Sequence, residues 1–232
     1  MISVCDRDMN GPRRQQHQQV IRMYEPPHFR EDRIDVQHGL IRAHPLGLLV
    51  SAVGGEPVAN AVPFILDAER GPKGALRAHV ARANAQYESL RGGATVLAVF
   101  QGADAYVTPS WYASKKEHGK VVPTWNYAMV QVRGTVEVIE DPAWIARQIR
   151  DLTFLHENPR PAPWAVDDAP PQYIAAQLRG IVGLDIAIAE ISGKWKVSQN
   201  VSTPDRAGVA SGLEDPAMAA LVRSYGGIED AS

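Results

Sequence analysis

The sequence is poor in cysteine, with Cys5 as the only one among 232 residues. An internal disulfide is therefore excluded, as is a metal site that needs several thiolate ligands. No apolar run approaches the roughly 18 residues of a membrane span, and the N-terminus lacks the apolar stretch of a secretory signal peptide. A reducing cytoplasm, away from any membrane, is the expected location.

Several motifs that would announce a function are also missing. The chain has no Gly-x-Gly-x-x-Gly, no Walker loop, no His-Glu-x-x-His pair and no Gly-x-Ser-x-Gly elbow, which disfavours dinucleotide, nucleoside triphosphate, zinc-hydrolase and serine-hydrolase sites. No helix-turn-helix pair with a basic recognition helix is evident. The net charge of −2, from 24 basic and 26 acidic side chains, offers no global attraction to nucleic acid.

The composition, with 45% hydrophobic residues, is that of an ordinary globular protein. Residues 1–22 differ from the rest because they are polar, rich in glutamine and without periodicity. They predict a disordered extension, and folded-looking sequence begins at Met23.

Short β-like segments in hairpin-spaced pairs dominate the remainder. A glycine pair separates the segments 46–53 and 57–66, and 121–139 reads as one long strand or a bent pair in which Gly134 marks a bulge. A turn at Ser192-Gly193 is expected to divide the last β-like region. Helical patterns are inserted at 30–44, 82–90, after Asp141-Pro142, at 173–181 and at 215–224. About seven strands with inserted helices favour an antiparallel barrel, mostly β with α, over a doubly wound sheet.

The segment His79–Gln86 predicts a strand that runs into a helix with Arg82 and Asn84 in its first turn. Free amides and the positive end of a helix suit a phosphate, and a guanidinium adds charge-assisted hydrogen bonds. The same residues are equally consistent with an exposed arginine, an asparagine cap and a buried core histidine at position 79.

Two segments, 106–112 and 122–127, combine aromatic rings with hydroxyls and amides. The first contains Trp111, and the second contains Thr124, Trp125 and Asn126. An aromatic ligand needs flat apolar cover and a few donors, which this mixture supplies, although barrel-core aromatics at strand ends would look the same.

A fourth segment, 194–200, alternates as a strand does. Lys194, Lys196 and Ser198 share one face, where they could meet a phosphate or a partner's carboxylates. A half-buried edge strand shows the same alternation.

The runs MYEPPHF, HVARANAQ, VPTWNY and KWKVSQN resemble the FMN-binding negative transcriptional regulator family, the PaiB-like proteins. The resemblance covers residues 23–213 and leaves 214–232 as a tail or short helix. It implies one FMN-binding split-barrel domain related to pyridoxamine-phosphate-oxidase-like flavoproteins. It also implies a homodimer whose FMN pockets lie at the subunit interface.

The resemblance assigns roles to the candidate residues. Arg82 and Asn84 would hold the FMN phosphate, while Thr124, Trp125 and Asn126 would line the flavin ring or its ribityl chain. Lys194, Lys196, Ser198 and Gln199 would approach from the partner subunit or close the pocket. His79 and Trp111 complete the cofactor-binding set, and no catalytic residue or metal ligand is assigned.

The family name implies DNA as a partner, but the charge does not support it. Residues 1–22 contain four arginines and two aspartates, so without them 20 basic and 24 acidic side chains remain, a net charge of −4. Such a body is expected to bind DNA poorly and to regulate through flavin or partner binding. The alternatives are a flavin-dependent oxidoreductase, since the cofactor carries the redox chemistry, and a structural dimer with a vestigial pocket.

Overall fold

The computed structural model describes residues 23–228, so the predicted extension at 1–22 lies outside the described part of the chain. An eight-stranded antiparallel sheet dominates this part. The strands are β1 Arg30–Glu31, β2 Leu46–Val53, β3 Glu56–Pro63, β4 Ile65–Asp67, β5 Ala75–Ala81, β6 Thr95–Val107, β7 Thr124–Ile139 and β8 Ile181–Lys196. Their order in the sheet is β3-β2-β6-β7-β8-β5-β4, with β1 paired to β8. The predicted antiparallel α+β architecture is confirmed.

Helices cover the ends and one side of the sheet. They are α1 Ile34–Ala43, α2 Gln86–Leu90, α3 Ser114–His118, α4 Pro142–Glu157, α5 Pro171–Arg179, α6 Thr203–Gly212 and α7 Pro216–Gly226. None of these helices, all within residues 23–228, is long and apolar enough to cross a membrane. The predicted cap of α4 is confirmed, because the Asp141 carboxylate accepts hydrogen bonds from the amides of Ala143 and Trp144.

The core lies on the concave side of the curled sheet. Alternate residues of the long strands point inward and are fully buried, among them Phe100, Val130 and Ile186. Phe100 meets Phe64 edge to face, with ring centroids 5.4 Å apart. Contacts between β3 and β5 bring distant positions of the strand order together, so the sheet closes into a barrel.

The predicted bulge at Gly134 is confirmed. Arg133 pairs with Glu190, but Gly134 pairs with Ile188, so one residue of β8 is skipped. A Cβ atom on Gly134 would lie 2.2 Å from the carbonyl oxygen of Ala187, and a side chain there would push the two strands apart.

The predicted turn at Ser192-Gly193 is wrong. β8 runs unbroken through these residues, and Gly193 pairs with Glu31 of β1 on one side and Val130 of β7 on the other. A Cβ atom on Gly193 would lie 2.8 Å from the carbonyl oxygen of Glu31. This glycine therefore permits the close approach of a third strand and does not reverse the chain.

A polar cluster fastens α7 to the start of the domain. Tyr225 of α7 stacks on the buried Trp195 ring, with centroids 6.5 Å apart, and its hydroxyl contacts the Glu31 carboxylate. The Arg33 guanidinium donates to both oxygens of Glu31, at 2.9 and 2.6 Å. Burial alone would raise the pKa of Glu31, but the hydrogen bonds from Arg33 and Tyr225 outweigh it and lower the pKa to about 2.

Glu31→Gln is expected to destabilise the fold at pH 7 by about 1.5–3 kcal/mol, the range for hydrogen bonds to a charged group. Because the pKa of Glu31 is lowered on folding, this stabilisation is complete above the ordinary value of 4.5 and disappears as the pH falls towards 2. Urea denaturation of both proteins from pH 7 to pH 2.5 measures it, with the exposed Glu56→Gln as control. A difference that does not change with pH would contradict this assignment.

Candidate functional site

The turn between β5 and α2 differs from the prediction. The helix does not begin at Arg82; it begins at Gln86, and the Asn84 side chain accepts a hydrogen bond from the Gln86 amide at 3.0 Å. Asparagine competes for backbone donors in this way and starts the helix after itself. Since α2 has only five residues, the predicted support from a helix dipole is absent, and the guanidinium of Arg82 remains as the anion-binding group.

The Arg82 guanidinium is half exposed and already holds an anion. Its Nη1 donates to Oε1 of Glu140 at 3.0 Å, and its Nε donates to the carbonyl oxygen of Arg179 at 3.1 Å. The Tyr87 hydroxyl donates to the same Glu140 oxygen at 2.6 Å. The hydrogen bond from Tyr87, followed by the contacts with Arg82, lowers the pKa of Glu140, and the carboxylate is therefore charged at neutral pH.

A cavity of about 680 Å³ adjoins this carboxylate on the convex, outer side of the sheet. Its floor includes Thr135 and Glu137, which point outward from β7, and its wall includes Tyr87 and Arg91 of α2. The cavity thus lies at the C-terminal end of β7.

His79 faces α4 from the outer side of β5. It pairs in the ladder with Gly183, on which the Trp144 ring of α4 rests. Its Nδ1 is buried without a hydrogen-bond partner among the described residues, and burial lowers its pKa, so the imidazole is neutral at pH 7. His79 is therefore half-buried between the sheet and α4, outside the concave core, and it does not line the cavity beside Glu140.

A second cavity, of about 510 Å³, brings four predicted residues together. It lies where the start of β7 and the end of β8 meet α3 and the chain leading into α6, and Thr124, Asn126, Lys196 and Ser198 all line it. The two segments converge because β7 and β8 are neighbours, with Tyr127 opposite Lys196.

Lys196 is one of two lysines that line this second cavity, together with Lys120. Its ammonium donates to the Thr124 hydroxyl and to the Trp125 carbonyl oxygen. Burial, and then the charge of Lys194, lower its pKa. The buried Asn126 amide donates to the Ser198 hydroxyl at 2.9 Å, which fixes the polar side chains relative to each other.

Ser198 has a φ of 68°, and no other non-glycine residue within 23–228 has a positive φ. A left-handed conformation costs energy outside glycine, and it persists only where surrounding contacts enforce it, as they commonly do at binding sites. The hydrogen bond to Asn126 is one such contact.

The remaining predicted residues do not line this cavity. Lys194 is buried, donates to the Tyr24 carbonyl oxygen at 2.9 Å and lies 5.3 Å from the ring centroids of Tyr24 and Tyr127. Gln199 turns back to its own strand, where its amide donates to the Trp195 carbonyl oxygen. These contacts fasten the strand end.

The two tryptophans also have separate places. Trp111 packs against Gly212 of α6, where a Cβ atom would lie 2.4 Å from the ring. Trp125 is 54% exposed on the outer face and meets Tyr106 at a ring-centroid distance of 6.0 Å. Trp125 therefore remains available to cover a ligand, whereas Trp111 supports the fold.

The predicted residues thus form two groups at opposite ends of β7. Thr124 is the first residue of β7, and Lys196 of β8 lies beside this end. Arg82 is bound to Glu140, which follows the last residue of β7. A strand of 16 residues spans about 50 Å, less where it bends. One FMN molecule is far shorter than this, so the two groups of a single chain cannot both touch it.

Sequence reasoning missed Glu140 and Tyr87. The only available signal was the position of Glu140 directly after a strand and before a capped helix. Many surface carboxylates have such a position, so it does not indicate a functional site. Their proximity to Arg82 depends on the pairing of β5, β7 and β8 and has no local signature.

The described fold is that of a split-barrel protein, and comparisons with known proteins show the family. Residues 23–190 match the model of a family described as "Putative FMN-binding domain". The chain belongs to this FMN-binding family, and FMN is its cofactor. The resemblance to PaiB-like proteins noted in the sequence is thereby confirmed.

Among its relatives is an uncharacterised protein of Emericella nidulans. The two are 33% identical over an alignment of 241 positions, which covers 86% of this chain and 96% of the relative. The protease synthase and sporulation protein PAI 2 of Bacillus subtilis is 28% identical over 193 residues, which cover 83% of this chain and 90% of that protein. The structure of the flavocytochrome Anf3 from Azotobacter vinelandii superposes with a TM-score of 0.53 at 19% identity, covering 69% of this chain and 66% of that one. This likeness shows a shared fold.

Proposed function

We propose that this protein is an FMN-binding homodimer in which each flavin site is completed across the subunit interface. We further propose that it regulates through flavin or partner binding without reading DNA sequence. The observation that carries the proposal is the position of the two groups of site residues at opposite ends of the long strand β7.

The outer face of the sheet has an apolar patch on β2, β3 and β6, which the polar side chains of Gln131 and Arg133 border on β7. Leu46 and Leu48 of β2 are 66% and 47% exposed, while their neighbour Leu49 is fully buried on the inner side. Because opposite partners in a ladder point to the same side, the rest of the face follows from the register. Its further apolar members are Val50, Ala59, Ala61, Leu97, Val99 and Met129. Contiguous apolar faces of this kind mark interaction surfaces.

A second copy of the chain is the occupant that this geometry favours. A two-fold axis through the middle of the face would stack two identical apolar patches on each other, as an isologous interface does. If this axis lies in the interface plane and runs perpendicular to β7, it places the C-terminal end of one β7 over the N-terminal end of its partner. Arg82 of one protomer would then approach the group around Lys196 of the other.

In such a dimer the described residues suit FMN. Arg82 would bind the phosphate, with Asn84 fixing the turn that holds it. Lys196, Thr124, Asn126 and Ser198 of the other protomer would supply polar contacts, and the exposed Trp125 would give the ring system flat cover. FMN, once bound, supplies reversible electron transfer, while the protein supplies binding, orientation and electrostatics.

The regulatory part of the proposal follows from charge. Residues 23–232 have a net charge of −4, so a protein–DNA contact based on phosphate neutralisation has little to use. The name of the Bacillus relative refers to protease synthesis and sporulation, which suits a regulator. A flavin-dependent contact with another protein fits both observations.

The test is a titration of the purified protein with FMN, followed by flavin absorbance, together with mass determination by light scattering. We expect about one FMN per chain and a dimer with and without the cofactor. A monomer that binds FMN would contradict the interfacial site, and a protein that takes up no FMN would contradict the whole proposal.

A further inference from the structure

We infer that Glu140 competes with the FMN phosphate for Arg82 and thereby sets how tightly the cofactor is held. The inference rests on the proposed function, because it requires Arg82 to be a phosphate ligand. It assigns to Glu140 a role in the exchange of the cofactor.

The geometry places a carboxylate where a phosphate oxygen would bind. Oε1 of Glu140 accepts a hydrogen bond from Nη1 of Arg82 at 3.0 Å and another from the Tyr87 hydroxyl at 2.6 Å. Arg91 lies over the Tyr87 ring, 5.4 Å from its centroid. A guanidinium, a hydroxyl and a nearby second cation are the groups that recognise a phosphate monoester.

The backbone keeps Glu140 at this position. It follows directly after β7 and precedes Asp141, whose side chain caps α4. The junction of strand and capped helix therefore positions the Glu140 carboxylate beside Arg82 before a ligand binds.

Binding of FMN must therefore displace Glu140 from Arg82 or place two anions side by side. A phosphate monoester carries up to two negative charges and three acceptor oxygens, so it can replace one carboxylate oxygen on the guanidinium. Riboflavin has an uncharged hydroxyl in place of the phosphate and leaves the pair between Arg82 and Glu140 intact. The competition thus acts on FMN and not on riboflavin.

The consequence is an FMN affinity below what Arg82 alone would give. A weaker hold lets the protein exchange FMN and respond to its concentration, which suits a regulator more than a permanent flavoenzyme. Glu140 would then be the residue that keeps the site responsive.

The experiment compares Glu140→Gln with the unaltered protein in parallel titrations with FMN and with riboflavin. Removal of an exposed ion pair and of one negative charge near the phosphate is expected to tighten FMN binding about three- to tenfold. Riboflavin affinity is expected to stay the same. Glu214→Gln is the matched control, because it removes the same charge from an exposed residue between α6 and α7 that lines neither cavity.

Arg82→Ala is measured in the same titrations, and it distinguishes failure of the phosphate site from failure of the role of Glu140. If Arg82→Ala loses FMN and Glu140→Gln leaves FMN affinity unchanged or lower, the role of Glu140 is refuted and the phosphate site stands. If Arg82→Ala leaves FMN affinity unchanged, the phosphate site itself is refuted. Glu140→Asp, which keeps the charge but shortens the side chain, gives a second measurement should the glutamine variant fail to fold, with an intermediate gain expected and no gain counting against the inference.

Discussion

Leu48→Arg is expected to turn the proposed dimer into a monomer and to abolish FMN binding in the same protein. Leu48 lies in the middle of the apolar outer face, between Ala61 of β3 and Val99 of β6 in the ladder. Because of the two-fold symmetry, one substitution places two guanidinium groups in the apolar interface. An unpaired buried charge costs several kcal/mol. Because the proposed flavin site needs both protomers, the cofactor should be lost together with the dimer.

The matched control is Leu155→Arg, since Leu155 is exposed to a similar extent, 49%, but lies near the end of α4 and away from the face. Light scattering and FMN titration are applied to both variants. A Leu48→Arg protein that is monomeric and still binds FMN would place the site within one chain. A Leu48→Arg protein that remains a dimer would move the interface to another surface.

Arg82→Ala is expected to weaken FMN binding by about 1.5–3 kcal/mol, roughly 10- to 150-fold, because it removes a charge-assisted contact to the phosphate. Riboflavin, which has no phosphate, should be unaffected. Lys196→Met, which keeps the length of the side chain and removes its charge, is expected to weaken FMN by a similar factor.

The exposed residues Arg147 of α4 and Lys116 of α3 supply matched controls for these two variants. Arg147→Ala and Lys116→Met remove the same charges from residues that line neither cavity and should leave FMN affinity unchanged. An Arg82→Ala protein with full FMN affinity would take Arg82 out of the site, and a corresponding result for Lys196→Met would take the second cavity out of it.

The long strand β7 was predictable from sequence because its signals are local. Alternating valines mark β7, the glycine at its centre marks the bulge, and Asp141-Pro142 marks the start of α4. The convergence of Thr124, Asn126, Lys196 and Ser198 followed from the order of two segments that lie on adjacent strands.

Features set by distant parts of the chain were not predictable. Gly193 has the sequence context of a turn, and only the position of β1 shows that it makes room for another strand. In the same way, the charge partner of Arg82 depends on where β7 ends, and the separation of the two site groups depends on the length of β7. The proposal of two half-sites rests on this separation, for which the local sequence has no signal.

The central claim, one FMN site built from two chains, is tested most directly by a mixed dimer of Arg82→Ala and Lys196→Met protomers, isolated with two different affinity tags. If the two groups meet across the interface, one site of this dimer carries both substitutions and the other carries neither. The account predicts about one FMN per mixed dimer at the affinity of the unaltered protein. A mixed dimer in which both sites are equally weakened would contradict it, since each site would then draw both residues from the same chain.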